Sequence, residues 1–69
     1  MTDTSIKLDQ FLKFHNLVAS GGEAKVRIRA GEVRVNGEVE MRRGRKLALG
    51  DVVEIDGVRA DVVEIADGP

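Results

Sequence analysis

The sequence predicts an α+β domain in which two N-terminal helices pack on a small antiparallel sheet. Three observations lead to this prediction. An apolar stripe at helical spacing begins the chain, a segment with helix-start and helix-stop residues follows it, and the remainder alternates apolar and polar residues between two-residue turns. Two helices followed by hairpin-forming strands make an α+β arrangement.

The first helix is predicted from an apolar stripe with spacing i, i+3, i+4 and i+7. The stripe consists of Leu8, Phe11, Leu12 and His15. Thr4 or Ser5 is expected to cap this helix, because their hydroxyls can accept a hydrogen bond from a free backbone N–H. Asn16 is expected to end it.

The segment from Ala24 to Ala30 strictly alternates small or apolar residues with cations, which is typical of a strand. Its ends indicate a helix instead. Ser20 and Glu23 fit a capping box, and Gly31 stands where a glycine in the left-handed conformation would end a helix. The end signals outweigh the alternation, so we predict a helix from about Gly21 to Ala30. Two of its residues, Ala24 and Ile28, should face the core.

The chain after Gly31 is predicted to form strands joined by tight turns. Asn-Gly and Asp-Gly pairs favour type I′ hairpins because both residues accept positive φ. The first strand is predicted directly after Gly31, where Val33 and Val35 alternate with Glu32 and Arg34. In order, we then predict a turn at Asn36-Gly37, a strand at Glu38–Met41, a basic connection at Arg42–Lys46, a turn at Gly50-Asp51, a strand at Val52–Ile55, a turn at Asp56-Gly57 and a strand at Val58–Ile65. Residues 1–5 and 67–69 are expected to be tails around one domain, residues 6–66.

Composition narrows the possible functions. The chain has 69 residues, enough for one domain with a thin core. It has no Cys and a single His, so neither a disulfide nor a thiolate or polyhistidine metal site is possible. No apolar run approaches a membrane span and no leader pattern begins the sequence, so we expect a soluble, cytoplasmic protein.

Charge is distributed unevenly along the chain. Residues 25–46 contain eight Lys and Arg against three Glu, a net +5, whereas residues 47–69 contain one Arg against six acids, a net −5. Such asymmetry in one small domain indicates a basic face for a polyanion and an acidic face turned away from it. The alternative is an ordinary solvated surface.

The sequence resembles the S4 RNA-binding domain family between Lys7 and about Ile55. The similarity lies in Lys7-Leu8-Asp9, Ser20, Glu23-Ala24-Lys25, Ile28, Gly31, Val33, Val35-Asn36-Gly37 and Gly50-Asp51. The run Ser20–Lys25 is also similar to the free-standing bacterial YbcJ/YaaA-like subgroup, a bare S4 domain with no attached enzyme.

This resemblance implies an S4-like fold (the alpha-L motif) and binding to structured RNA, often ribosomal. It places RNA contacts at Lys7, Ser20, Gly21, Lys25, Arg29 and Arg34. The chain departs from the usual family pattern at Gly21, where Arg is expected. The N–H groups of a helix N-terminus can still hold a phosphate without that side chain.

A second basic cluster lies outside the residues that carry the resemblance. It consists of Arg42, Arg43, Arg45 and Lys46. With no partner these cations would repel one another, and a phosphate backbone would be a natural partner. The alternative is a solvated loop. On a helix, Lys25 and Arg29 would also share one face.

The aromatic, histidine and acidic residues are better explained by structural positions than by a functional site. Phe11 and Phe14 are expected in the core or at its edge, which argues against folds that display aromatic residues to RNA bases. His15 is a possible general base, but it lies on an apolar stripe without an identifiable nucleophile. Asp51, Glu54 and Asp56 do not fit a calcium loop.

The sequence therefore predicts a non-catalytic domain that contacts the phosphates of structured RNA, with ribosomal RNA or a ribosome-assembly intermediate as partner. We expect no cofactor, membrane or small-molecule substrate. A protein-interaction module, using the basic middle and the acidic last third, is the alternative.

Overall fold

A computed structural model describes residues 6–63 of the chain. They form two short helices and six short strands, joined by turns and loops. The elements are β1 Ile6–Lys7, α1 Leu8–Phe14, α2 Gly21–Arg29, β2 Val33–Val35, β3 Glu38–Val39, β4 Lys46–Leu47, β5 Val52–Ile55 and β6 Val58–Asp61. This confirms the predicted α+β class. Both predicted tails and the end of the predicted last strand lie outside the described residues. Within residues 6–63, neither helix has the length and apolarity to span a membrane.

Helix α2 follows its end signals rather than its alternating pattern. The Ser20 hydroxyl accepts a hydrogen bond from the Glu23 N–H at 3.1 Å, and the Glu23 carboxylate accepts one from the Ala19 N–H at 2.7 Å. Gly31 has φ 79° beyond the C-terminus. The helix ends at Arg29, one residue earlier than predicted. Local capping therefore determined this element.

Helix α1 begins later than the predicted caps allow. Its N-cap is Lys7, which has extended backbone angles, and its first helical residue is Leu8. The expectation that Thr4 or Ser5 caps it was wrong. The physical reason is that Ile6 and Lys7 belong to β1, so the chain cannot become helical before Leu8.

The C-terminus of α1 exposes two side chains that were expected on or beside the core. The helix ends at Phe14, and Asn16 follows with φ 58°, as predicted. Phe11 is buried, but Phe14 is 64% exposed because it lies about 200° around the helix from Leu12. His15 is also exposed, since the helix has ended before it. Its ring packs 4.2 Å from the Phe11 ring and 5.3 Å from the Phe14 ring, between centroids.

The main sheet has four antiparallel strands in the order β3-β2-β5-β6. Both predicted hairpin turns are confirmed by positive φ at each central residue: Asn36 55°, Gly37 85°, Asp56 56° and Gly57 77°. Strand β3 is two residues shorter than predicted, ending at Val39. Strand β6 ends at Asp61.

A second, two-stranded sheet was not predicted. Strands β1 and β4 pair antiparallel, with Ile6 opposite Leu47 and Lys7 opposite Lys46. The expectation that Lys46 belongs to a connecting loop was therefore wrong. Two-residue strands leave no alternating pattern in a sequence, so only the folded chain reveals this pairing.

One core joins the helices to one face of the main sheet. Its buried members are Leu8, Phe11, Leu12, Val18, Ala24, Ile28, Val33, Val35, Leu47, Val53, Ile55 and Val62. Alternate residues of β2 and β5 face this core, so the residues between them face outward.

Two motifs that carry the family resemblance hold each other in place. The Asn36 side-chain amide donates to the Asp51 carboxylate at 3.1 Å and accepts from the Val52 N–H at 2.9 Å. The other Asp51 oxygen accepts from the Ala48 N–H at 2.9 Å. That backbone donor, followed by Asn36, lowers the pKa of Asp51. Both motif residues thus have a structural role in the fold.

Candidate nucleic-acid interface

Residues 42–46, here termed the basic loop although its last residue, Lys46, begins β4, are attached to the N-terminus of α1. The Leu8 N–H donates to the Arg45 carbonyl at 2.8 Å, and the Asp9 N–H donates to the Arg43 carbonyl at 3.2 Å. These carbonyls satisfy N–H groups that a helix start leaves without intrahelical partners. Since Lys7 also lies opposite Lys46, the structure brings Lys7 to the basic loop.

A buried carboxylate lies beneath the basic loop. The Glu40 side chain is only 9% exposed, and it forms ion pairs with Arg42 at 3.0 Å and Arg45 at 2.9 Å. It also accepts from the Arg42 backbone N–H at 3.1 Å. Hydrogen bonds from Arg42 first, then Arg45, lower the pKa of Glu40 to about 2. Two of the four cations, Arg42 and Arg45, therefore have a carboxylate partner within the chain.

Glu40 is a functional candidate that sequence reasoning missed. Its position two residues before Arg42 was the available signal, but Glu32 stands equally close to Arg34 in the sequence. Only the fold shows which of these carboxylates is buried.

The basic loop stays accessible despite these pairs. The Arg42 side chain is 78% exposed and that of Arg45 is 31% exposed. Arg43 is exposed and forms no ion pair within residues 6–63. Four cations against Glu40 leave this region a net +3.

Helix α2 adds a second group of candidate residues. Lys25 and Arg29 are exposed one turn apart, as predicted, and neither forms an ion pair in the described part of the chain. The Ser20 hydroxyl is engaged as the helix cap. A Cβ added at Gly21 would meet no atom within 4 Å, so the missing family side chain leaves open space.

Arg27 differs from its neighbouring cations because its guanidinium is used in ion pairs within the fold. Its guanidinium pairs with Glu32 and Asp56, and with Glu23 at 3.4 Å. The hydrogen bonds that its guanidinium donates to Glu32 first, and then to Asp56, raise the pKa of Arg27. These pairs connect α2 to the start of β2 and to the β5–β6 turn, so Arg27 is not a free cation of the interface.

Arg34 lies on the outer face of the main sheet, opposite the face that packs against the core. It is exposed between buried Val33 and Val35, so it points away from the face that the helices cover. There it lines a shallow depression together with Glu32, Glu54 and Asp56. The structure does not bring Arg34 to the basic loop.

The fold and the charged surfaces define a small α+β domain with a cationic loop attached to its first helix. The chain belongs to the S4 domain family, whose model matches residues 1–66. This confirms the resemblance found in the sequence.

Two relatives carry names that bear on function. The chain is 56% identical over 52 residues to "Probable ribosome maturation protein RlbA" of Bacillus subtilis strain 168, covering 75% of this chain and 73% of that protein. It is 36% identical over 58 residues to "Putative RNA-binding protein YbcJ" of Escherichia coli K12, covering 84% and 83% respectively. These names describe ribosome maturation and RNA binding in those two relatives.

Proposed function

We propose that this domain binds structured RNA without catalysis and that it does so through the phosphate backbone. The observation that carries the proposal is the basic loop attached to α1, with Lys7 beside it. A cationic surface held by backbone hydrogen bonds suits a regularly charged partner, because each neutralised phosphate releases counterions.

The proposed contacts form two groups. The first is Lys7 with Arg42, Arg43, Arg45 and Lys46 of the basic loop. The second is the start and exposed side of α2, with Ser20, Gly21, Lys25 and Arg29. The Gly21 and Gly22 N–H groups can donate to a phosphate, because they precede the first backbone hydrogen bond of the helix, whereas the Ser20 hydroxyl already accepts from the Glu23 N–H.

The contact that the resemblance implies at Arg34 stays a prediction of its own. Its position on the outer face, beside three carboxylates, requires RNA to reach around the sheet. An Arg34→Ala variant therefore tests it separately from the basic loop.

Recognition by shape and charge fits the aromatic residues. Phe11 is buried, and Phe14 is at the end of α1 remote from the basic loop, about 10 Å along the helix axis. Folds that read bases by stacking present two or three aromatic side chains together. One peripheral aromatic supports little reading of base sequence.

The RNA that we propose is ribosomal RNA or a ribosome-assembly intermediate. Support comes from the name of RlbA, which describes ribosome maturation in that relative. A partner of this kind would place the domain in the cytoplasm.

A protein-interaction module is the second candidate. It is favoured by the outer sheet face, where Glu32, Glu54 and Asp56 border one depression. A protein partner for this face would not depend on Lys7 or Arg43.

Ultraviolet crosslinking of the tagged protein in its native cells, with sequencing of the bound RNA, tests the proposal. The variant Lys7→Ala/Arg43→Ala removes two exposed cations of the interface, and Lys13→Ala/Arg59→Ala removes two exposed cations elsewhere. Arg42 and Arg45 are kept because their loss would leave a buried carboxylate unpaired.

We expect wild type and the Lys13/Arg59 variant to crosslink to one ribosomal RNA region, and the Lys7/Arg43 variant to lose that signal. Equal crosslinking by all three proteins would overturn the proposal and favour the protein-interaction module.

A further inference from the structure

We propose that Glu40 is a positioning residue for RNA binding, which holds Arg42 and Arg45 in the arrangement that meets the phosphate backbone. This inference rests on the proposed function. It concerns a negatively charged residue whose removal would, on charge alone, strengthen binding to a polyanion.

The Glu40 carboxylate bridges the two ends of the basic loop by hydrogen bonds to Arg42 and Arg45. One Glu40 oxygen accepts from the Arg42 Nε at 3.0 Å and from the Arg42 backbone N–H at 3.1 Å. The other oxygen accepts from the Arg45 Nη1 at 2.9 Å. The Arg45 N–H also donates to the Arg42 carbonyl at 3.2 Å, which closes a turn between the two arginines. Both arginines are therefore fixed from one buried point.

Arg42 and Arg45 keep N–H groups that are not bonded to Glu40 and can donate to RNA. A guanidinium has five N–H donors. Arg45 directs one nitrogen to Glu40, whereas Arg42 directs Nε and, at 3.4 Å, Nη2. Both side chains remain partly exposed, Arg42 most of all. Each can thus keep its carboxylate contact and donate to a phosphate with its remaining N–H groups.

Two effects of Glu40 on RNA binding have opposite signs. Its charge repels phosphate, but that charge is buried and already paired with two cations. Ordering of the arginines acts directly on the groups that touch RNA, because side chains that are immobilised beforehand lose less freedom on binding. We infer that ordering outweighs repulsion.

Glu40→Gln and Glu38→Gln form a matched pair for the test. Both remove one negative charge, and they lie two residues apart. Glu38 is exposed in β3 and forms no ion pair among the described residues. Binding is measured by filter retention of labelled ribosomal RNA from the source organism, with poly(U) as the unstructured control. Far-UV circular dichroism establishes that each variant is folded at the temperature used.

We expect Glu40→Gln to weaken binding to ribosomal RNA by about 3- to 10-fold, the effect of releasing one or two ordered side chains. Glu38→Gln should bind as wild type or slightly more tightly. A merely structural role is distinguished by a double-mutant cycle. Glu40→Gln should cost less in an Arg42→Ala background, where Arg45 still pairs with Glu40, than in an Arg59→Ala background.

The outcomes separate the two proposals. Failure of wild type to prefer ribosomal RNA over poly(U) overturns the proposed function. If wild type binds ribosomal RNA but Glu40→Gln binds as tightly as Glu38→Gln, the positioning role is wrong and the function stands. Weaker binding that is purely additive with Arg42→Ala also overturns the positioning role.

Discussion

Glu40→Gln should remove a pH-dependent part of the folding free energy. The two arginines lower the pKa of Glu40 from its ordinary 4.5 to about 2 in the folded chain. A carboxylate with a lowered folded pKa contributes stability that is fully present above about pH 4.5 and is lost as pH falls through about 2.

The size of this contribution has a ceiling set by the two pKa values. The difference between 4.5 and about 2 corresponds to about 3 kcal/mol. Water screens part of it, because the Arg42 side chain is 78% exposed. We therefore expect a net contribution of about 1–2 kcal/mol near neutral pH.

The assay is urea unfolding of wild type and Glu40→Gln at several pH values between 7 and 2. The signal is far-UV circular dichroism, because the chain contains no Trp and no Tyr. We expect the difference in unfolding free energy to stay constant from pH 7 to about 5 and to approach zero near pH 2. Glu38→Gln controls for general charge effects. A difference as large at pH 3 as at pH 7 would refute the ion-pair explanation.

Three further predictions concern other positions. Gly21→Arg should fit without a clash and steepen the salt dependence of RNA binding by about 0.7–0.9 in log–log slope, measured by filter retention; an unchanged slope would place the α2 start outside the interface. Phe11→Ala should cost about 3–5 kcal/mol in urea unfolding, whereas Phe14→Ala should cost under about 1 kcal/mol; similar costs would contradict their different burial. Asn36→Ala should cost about 1–3 kcal/mol by the same measurement, since it removes partners of Asp51 and the Val52 N–H; a neutral effect would show that these bonds contribute little.

Elements with local chemical signals could be predicted from the sequence. Ser20 and Gly31 marked the ends of α2 correctly although the residues between them alternate like a strand. Asn36-Gly37 and Asp56-Gly57 specified their turns because few residues accept positive φ. In each case the determining contact lies within a few residues along the chain.

Features that depend on distant contacts could not be predicted in this way. Strands β1 and β4 pair across almost 40 positions of sequence, so Lys7 and Lys46 gave no sign of meeting. Arg27 and Arg29 look alike in the sequence, yet only Arg27 reaches Asp56. The burial of Glu40 likewise requires the folded chain.

Arg43 and Arg59 provide the most direct measurement of RNA binding by the basic loop. Both are exposed arginines without an ion pair in residues 6–63, so replacing either by Ala removes one positive charge from a different surface. The affinity of each variant for labelled ribosomal RNA is measured over a series of salt concentrations. We predict that Arg43→Ala weakens binding and lowers the log–log salt slope by about 0.7–0.9, while Arg59→Ala changes neither. Equal effects of the two substitutions would show that RNA is attracted by net charge and not bound at the basic loop.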